Sequence, residues 1–314
     1  MSILVTGGAG FVGLEVVRRL VARGEGELSV FSRNPSRQRL GELADRVEAI
    51  AGDLGNFSHV LDAVKRTRPH CIYHLGATLS VPSDADPASA VQTNAMGTFY
   101  VLEAARLFDV EKVIFSSSIG TYGYDVQGAS INDRTLQRPQ LFYGATKVFG
   151  EHMGLFFKRK YGLDFRGIRY PSVIGPGVST PGAVQYTSWM IEESIKGNPF
   201  SVWVEPETRV PVMYISEAAD ATIQLADADT EKIKTVTYLV DGMKTTPSAA
   251  ELADVVSEKL STASIEFHPD PSIQSIVTEL VRPLDDNAAR SEWGWEPTHD
   301  VERIVNDFID AFGK

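Results

Sequence analysis

The residues best suited to chemistry are a tyrosine and a lysine four positions apart, Tyr143 and Lys147, in the stretch LFYGATKVFGEH at 141–152. Helical spacing puts i and i+4 on one face, about 5–6 Å apart at Cβ. An unperturbed phenol, with a pKa of about 10, is a poor base near neutrality. An ammonium beside it favours the phenolate, so the pair reads as an acid/base tyrosine whose pKa the lysine lowers. The run KVIFSSSIGTYG ends an apolar stretch in Ser118, 25 residues before Tyr143. A hydroxyl there suits a donor that fixes a carbonyl oxygen. Serine, tyrosine and lysine together supply what hydride transfer between a nicotinamide and an alcohol or carbonyl requires. Asn94, in QTNAMGT, suits either a water-mediated link from Lys147 to solvent or a packed helical amide.

A nucleotide site is written near the N-terminus. VTGGAGFVG follows an apolar run and spaces Gly7, Gly10 and Gly13 as G-x-x-G-x-x-G. The first glycine permits the tight turn, the second lets backbone approach a pyrophosphate, and the third packs helix against strand. Asp53, in AGDL, is either a turn aspartate or an acceptor for the adenine amino group. At the end of the second strand a carboxylate would hold a ribose 2′-hydroxyl and repel a 2′-phosphate. This chain has VFSRNPSR instead, with Ser32 at that place and Arg33 and Arg37 beyond it. Guanidinium groups suit phosphate, and Asn34 and Ser36 can add hydrogen bonds. The expected cofactor is NADP, with NAD as the alternative if Arg33 only covers the adenine.

These residues need a scaffold that brings strand ends together. Apolar runs at 3–7, 28–32, 47–53, 71–77 and 112–118 alternate with amphipathic stretches at 11–23, 57–67, 88–108 and 143–161, and DFRGIRYPSVIG carries a further strand. Such βαβα alternation predicts an α/β fold with a doubly wound parallel sheet. Residues 1–174, completed by 208–241, read as the dinucleotide-binding domain. Residues 175–207 and 242–314 read as a smaller substrate-capping region, with VPVMYIS and VTYLVDG returning to the sheet.

Composition limits the alternatives. The 314 residues are 43% hydrophobic, enough for a large core. The net charge of −11 offers no basic face for phosphates, so no nucleic-acid partner is expected. One cysteine, Cys71, excludes an internal disulfide and disfavours cysteine-based metal chemistry. No apolar run approaches 18 residues, and the chain opens directly on SILVTGG. It reads as a cytoplasmic protein without a membrane partner or metal.

The motifs TGGAGFVG, GDL, HLGA, TNAMGT, SSSIGTYG, YGATK and RYPSVIGPG together resemble the extended short-chain dehydrogenases/reductases, in the NAD-dependent epimerase/dehydratase family, over nearly the whole chain. The resemblance implies a cofactor lined by Gly7, Gly10, Phe11, Val12, Gly13, Ser32, Arg33, Arg37, Asp53, Leu54, Leu75, Gly76, Ala77, Tyr143, Lys147, Tyr170, Pro171 and Val173. It also implies a homodimer through two helices, whose apolar residues Phe99, Leu102, Phe149, Met153, Phe156 and Phe157 extend beyond one face.

Two branches of that family differ in substrate. Nucleotide-sugar enzymes usually carry Asn where RYPSVIGPG has Ser172, and Arg-Asp where this chain reads TRVPVMYIS. The short-chain L-threonine 3-dehydrogenases are more similar through YGLDFRGIRYPSVI, VPVMYISEAADATI and LDDNAARSEWGW. Of the three residues that surround the amino acid in that branch, Ser80 matches the serine. Val184 or Ala183 replaces a threonine, and Leu280 or Val281 replaces a tryptophan. The expected substrate is therefore a small polar hydroxy or keto compound: a hydroxy acid, amino alcohol or sugar acid. Ser118, Ile119 and Tyr143 would hold its reacting end, and Arg209 or Arg282 a carboxylate. A nucleotide-sugar epimerase/dehydratase and a non-catalytic cofactor sensor are the alternatives.

Overall fold

A computed structural model of the chain describes residues 2–123, 125–280 and 282–312 and, of residues 279 and 280, the backbone alone. Its strands are β1 (Ser2–Thr6), β2 (Glu27–Ser32), β3 (Glu48–Ala51), β4 (Cys71–His74), β5 (Lys112–Ser118), β6 (Asp164–Tyr170), β7 (Ser172–Ile174), β8 (Phe200–Val202), β9 (Val212–Tyr214), β10 (Thr237–Leu239) and β11 (Ile265–Phe267). Seven of them form one sheet in the order β10-β6-β5-β4-β1-β2-β3, with every pair parallel. The chain lays down β1, β2 and β3 in one direction, then returns to place β4 on the other side of β1. The strand order reverses there, and in a doubly wound sheet this is where a crevice opens beyond the strands' carboxyl ends.

Strand side chains alternate between two cores. Leu4, Phe31, Ile72, Val113, Phe115 and Phe165 meet the helices Phe57–Thr67, Gly97–Leu107 and Phe142–Tyr161. Ile3, Val5, Leu28, Val30, Tyr73 and Ile114 meet the helices Phe11–Ala22 and Ile215–Asp227. Burial on both faces explains why these strands read as continuous apolar runs. A separate core joins the helices Tyr186–Lys196, Ala249–Lys259 and Val301–Phe312 through Tyr186, Met190, Leu252, Val256, Ile304 and Phe308. Ala289, Trp293 and Trp295 pack instead with Ile168 and Tyr238 beside the main sheet.

Several expectations need correction. DFRGIRYPSVIG is two strands, because Pro171 has no N–H to continue the ladder. The VPVMYIS strand does not return to the main sheet: β9 pairs with β7 in a two-stranded sheet of its own. The helix read over 88–108 is a short turn at Pro87–Ala90, a π-helical stretch at Val91–Met96 and an α-helix from Gly97. Leu102 and Phe157, read as part of an outward face, are core residues.

The helix Phe142–Tyr161 is turned inside out relative to an ordinary amphipathic helix. It buries Gly144, Lys147, Gly150, Glu151 and Gly154 toward the sheet, while Phe149 and Leu155 remain 39% and 40% exposed. The glycines set the spacing. A Cβ on Gly150 would lie 2.5 Å from the Phe115 ring, and one on Gly154 2.1 Å from the Phe165 ring. Close approach to β5 is what carries the helix's polar residues to the strand end.

Candidate active site

The glycine loop sits at the reversal point. Gly7 has φ +70°, and a Cβ there would lie 2.6 Å from the Cα of Gly76, just beyond β4. A Cβ on Gly13 would lie 2.1 Å from the Gly7 carbonyl oxygen. The loop is braced by the Gly7 N–H donating to the Phe31 carbonyl and the Gly10 N–H to the Gly7 carbonyl, each at 2.8 Å. No side chain caps the helix Phe11–Ala22, and its ladder begins with Leu14 N–H donating to the Gly10 carbonyl. The amides of Phe11, Val12 and Gly13 are therefore left over, as at any helix start, and suit a pyrophosphate. Across the crevice, the Leu75 N–H donates to the Thr6 carbonyl at 3.1 Å. Leu54 lies against Gly76, and Ala77 follows. A glycine cradle that any Cβ would fill, facing unused amides, fits a dinucleotide.

The adenosine end is only partly as expected. The Ser32 hydroxyl accepts from the Ala9 N–H at 3.2 Å and so belongs to the glycine loop. Arg33 is exposed and has no hydrogen-bond or ion-pair partner among the described residues. Arg37 is engaged elsewhere, in a two-pronged contact with Asp45 at 2.8 and 2.7 Å. Ser36 caps the next helical turn by accepting from the Arg39 N–H. Asp53 accepts from the Gly55 N–H at 2.9 Å, a turn contact that leaves its second oxygen open.

Three successive serines end β5, and strand alternation gives each a different task. The Ser116 carbonyl accepts from Lys147 Nζ at 2.6 Å. The Ser117 hydroxyl donates to Glu151 Oε1 at 2.5 Å, one turn along the same helix as Lys147. The Ser118 hydroxyl accepts from the Gly120 N–H at 3.0 Å and hydrogen-bonds Tyr143. The fold thus brings Ser118, Tyr143 and Lys147 together. Their electrostatics differ from the pairwise reading. Burial pushes the Tyr143 phenol up, opposed by its hydrogen bond to Ser118. Burial also pushes Lys147 down to about 7, opposed by the charge of Glu151. Lys147 Nζ is 5.5 Å from the Tyr143 ring centroid and its ammonium is not among the groups lowering the phenol. Spacing alone could not reveal this, because it carries no information about desolvation.

Asn94 takes the packed role. Its amide donates to the Thr78 carbonyl at 2.9 Å and to the Thr146 hydroxyl at 3.1 Å, and accepts from the Thr78 N–H at 2.7 Å. It ties the end of β4 to the Tyr143 helix through the residue beside Lys147. His74 lies beneath the glycine loop between the hydroxyls of Thr6 at 2.7 Å and Thr98 at 3.0 Å. Burial, with Lys147 second, pushes it down to about 3, so it is neutral.

Other contributors were not singled out from sequence. A Cβ on Gly144 would lie 1.9 Å from the Gly120 carbonyl oxygen, so only glycine lets the helix seat against the Ser118–Gly120 turn. The Asp84 carboxylate accepts from the Phe142 N–H at 3.1 Å and caps the start of the Tyr143 helix from another element. The one available signal for Glu151 was its place four residues after Lys147.

Of the residues expected to meet a substrate, Ser80 opens a short helix, Ser80–Ala85, beyond β4. Ile119 packs beside Tyr122, Ile131 and Leu284. Ile131 also exchanges backbone hydrogen bonds with Pro283 and Asp285, at 2.9 and 2.8 Å, which brings the segment after Arg282 alongside the loop that follows Ser118. Arg282 donates to the Thr278 carbonyl at 2.9 Å. The Leu280 side chain and Val281 lie outside the described residues. Val184 packs on the separate C-terminal core. Arg209 is committed to Glu251, at 2.8 and 2.7 Å, and to the Thr246 carbonyl at 2.6 Å, which corrects its assignment to a substrate carboxylate. The Tyr170 hydroxyl is taken by Thr222, leaving its backbone, with Pro171 and Val173, at the end of β6.

The NAD dependent epimerase/dehydratase family matches this sequence over residues 3–240. The mitochondrial L-threonine 3-dehydrogenase of Bos taurus is 29% identical, over 99% of this chain and 82% of that protein. The structure of L-threonine dehydrogenase from Cupriavidus necator superposes with a TM-score of 0.91 at 25% identity, covering 99% of this chain and 100% of the other. UDP-glucose 4-epimerase from Thermus thermophilus, solved in complex with NAD, superposes with a TM-score of 0.85 at 26% identity, covering 100% of this chain and 99% of the other.

Proposed function

Because the chain belongs to the NAD dependent epimerase/dehydratase family, we propose that it transfers a hydride between a nicotinamide cofactor and a small polar hydroxy or keto compound, such as a hydroxy acid, amino alcohol or sugar acid. The observation that carries this reading is the convergence of Ser118, Tyr143 and Lys147 at the end of β5, beside a glycine cradle with unused amides. When bound, the nicotinamide would supply the hydride-exchanging ring and, in its oxidised form, a positive charge. Ser118 would orient the substrate oxygen and Tyr143 exchange its proton. Lys147 would hold its ammonium near that phenol and toward the cofactor ribose. Ser80 and Ile119 would line the substrate.

The test is a panel of small hydroxy acids, amino alcohols and sugar acids, offered with oxidised cofactor while the absorbance of reduced nicotinamide is followed. A lasting rise with a panel member supports the reading. Interconversion of a nucleotide sugar without lasting reduced cofactor would favour the epimerase alternative. That alternative draws support from the Thermus thermophilus structure, but Ser172 stands where an asparagine would reach a diphosphate. A purely sensory role is disfavoured, since it needs none of the three residues.

NADP is the proposed preference. Of the two arginines read there, Arg37 is held by Asp45 while Arg33 has no partner among the described residues, and charge-assisted hydrogen bonds contribute about 1.5–3 kcal/mol each, roughly ten- to a hundredfold. Arg33→Ala should weaken NADP by about that factor and NAD little, and Ser32→Asp should shift preference toward NAD. Calorimetric titration of both cofactors decides it, and equal weakening of the two would contradict a phosphate contact.

A homodimer is proposed from the outward apolar side of the Tyr143 helix. Phe149 and Leu155, with Leu107 and Tyr161, form more exposed apolar surface than a helix facing water requires. Light scattering should give about twice the chain mass of 34.4 kDa, falling to one chain when Phe149 and Leu155 are both changed to Glu. A wild-type monomer at micromolar concentration would overturn the proposal. No helix among the described residues is long and apolar enough to cross a membrane, and a cytoplasmic site of action is part of the same reading.

A further inference from the structure

We propose that His74 is a positioning residue that, protonated on Nε2 alone, closes a one-way hydrogen-bond chain from the glycine cradle to the helix carrying Tyr143. The proposal rests on that cradle holding the nicotinamide cofactor and on Tyr143 serving as the acid/base, as described above.

The chain starts where β1 and β4 lie side by side, with Thr6 and His74 as partners in register. Both side chains lie on the face that carries Leu4 and Ile72, toward the helices Gly97–Leu107 and Phe142–Tyr161. The Gly76 N–H donates to Thr6 Oγ1 at 3.4 Å, and Thr6 Oγ1 lies 2.7 Å from His74 Nδ1. His74 Nε2 lies 3.0 Å from Thr98 Oγ1, which donates to the Asn94 carbonyl at 2.6 Å. From the same asparagine, Nδ2 donates to Thr146 Oγ1 at 3.1 Å, and the Thr146 hydroxyl donates to the Tyr143 carbonyl at 2.7 Å. Thr6, His74, Asn94, Thr98 and Thr146 are all buried. The first link touches the cradle, because Gly76 is the residue that leaves no room for a Cβ on Gly7.

Counting hydrogens fixes the direction. A threonine hydroxyl has a single hydrogen to give. That of Thr98 goes to the Asn94 carbonyl, so Thr98 can only accept from His74, which places a hydrogen on Nε2. A second hydrogen, on Nδ1, would make Thr6 accept from both the ring and Gly76. The Thr6 hydrogen would then be buried without a partner among the described residues. Nδ1 is therefore bare and accepts from Thr6. The surroundings agree. The Phe115 ring lies 5.8 Å from the imidazole, centroid to centroid, no carboxylate among the described residues hydrogen-bonds it, and the charge that acts on it is the Lys147 cation. Stability alone does not call for this arrangement, since replacing both partners of a buried hydrogen bond by apolar groups of the same shape can be nearly neutral. What a fully satisfied chain adds is a fixed geometry. Here it runs from the turn against the glycine loop to the first turn of the Tyr143 helix.

The experiment reads the ring nitrogens of His74 by NMR in protein carrying isotope-labelled histidine, assigned by their absence in the variants below. The wild type should show a hydrogen on Nε2 alone, unchanged between about pH 5 and 8, where an ordinary histidine changes charge. A hydrogen on Nδ1, or a ring that gains charge in that range, would overturn the proposal. His74→Phe keeps a ring and removes both links. Calorimetry should show NAD and NADP each bound about two- to tenfold more weakly, the usual effect of losing one hydrogen bond. Amide hydrogen exchange in the free protein should quicken at 143–147 more than in the helix Phe11–Ala22. His74→Asn keeps an acceptor for Thr6 but is too short to reach Thr98, so it should restore cofactor affinity and leave exchange at 143–147 fast. A role in packing alone predicts the opposite ranking, with phenylalanine tolerated better than the smaller asparagine. A folded His74→Phe with wild-type affinity and exchange would overturn the proposal, as would failure of both variants to fold, since His74 would then be structural support alone. None of these readouts needs turnover, so failure here is distinct from failure of the hydride reading.

Discussion

Tyr143→Phe is expected to lower the rate of hydride transfer by about 10²–10⁴-fold, the usual cost of removing a positioned acid/base, while cofactor still binds. The substitution is a narrow one. It keeps the ring, whose edge lies close to Gly120, and removes only the hydroxyl that Ser118 engages. The glycine cradle belongs to different elements, β1 and the helix Phe11–Ala22, so calorimetric affinity for the cofactor should change by less than about tenfold. Stopped-flow or steady-state absorbance of the reduced nicotinamide reads the rate. Turnover near the wild-type value would remove Tyr143 from the chemistry and leave Lys147 and Ser118 without a proton to manage.

Gly144→Ala should do nearly as much damage from a position that touches no reactant. Helix propensity alone argues the reverse, since alanine in place of a helical glycine gains about 0.8–1 kcal/mol. Here the new Cβ would lie 1.9 Å from the Gly120 carbonyl oxygen and 2.7 Å from Pro139 Cβ. The nearer obstacle is backbone and cannot rotate away, so the helix or the Ser118–Gly120 turn must shift. Overpacking of this kind costs about 1–3 kcal/mol, which outweighs the propensity gain. The shift separates Ser118 from Tyr143, and misplacement of about 1 Å can cost about 10²-fold in rate. A thermal melt and an activity assay on the variant give both effects. A raised melting temperature with unchanged rate would mean that the helix does not seat so closely against the turn.

The sheet was legible because its strands are local patterns. β5 matches its expected span of 112–118, and the helix Phe57–Thr67 follows an apolar period with Asn56 capping its start. Boundaries failed where a turn borrowed strand-like residues. Gly52 and Asp53 leave β3 for the turn held by Gly55, and Pro171 splits one apolar run between two sheets. The π-helical stretch around Asn94 was not visible, since its apolar spacing differs too little from an α-helix over six residues. The clustering of Ser118, Tyr143 and Lys147 was legible, because residue type and spacing coincide there. What supports them depends on pairs far apart in sequence. Glu151 meets Arg169, Asp84 meets Phe142, and Arg209 is drawn off by Glu251. Nor does a sequence show how deeply a lysine is buried, which is why the partnership of Tyr143 and Lys147 was found but its electrostatics were misjudged.

The central claim is net hydride transfer with Tyr143 as the acid/base. Its most direct test uses reduced cofactor deuterated at the reacting carbon, with the keto form of whichever substrate the panel identifies, and mass spectrometry of the product. One deuterium should appear on the new carbinol carbon with wild-type protein, and almost none over the same time with Tyr143→Phe. A product without deuterium, or equal labelling by the two proteins, would contradict the account.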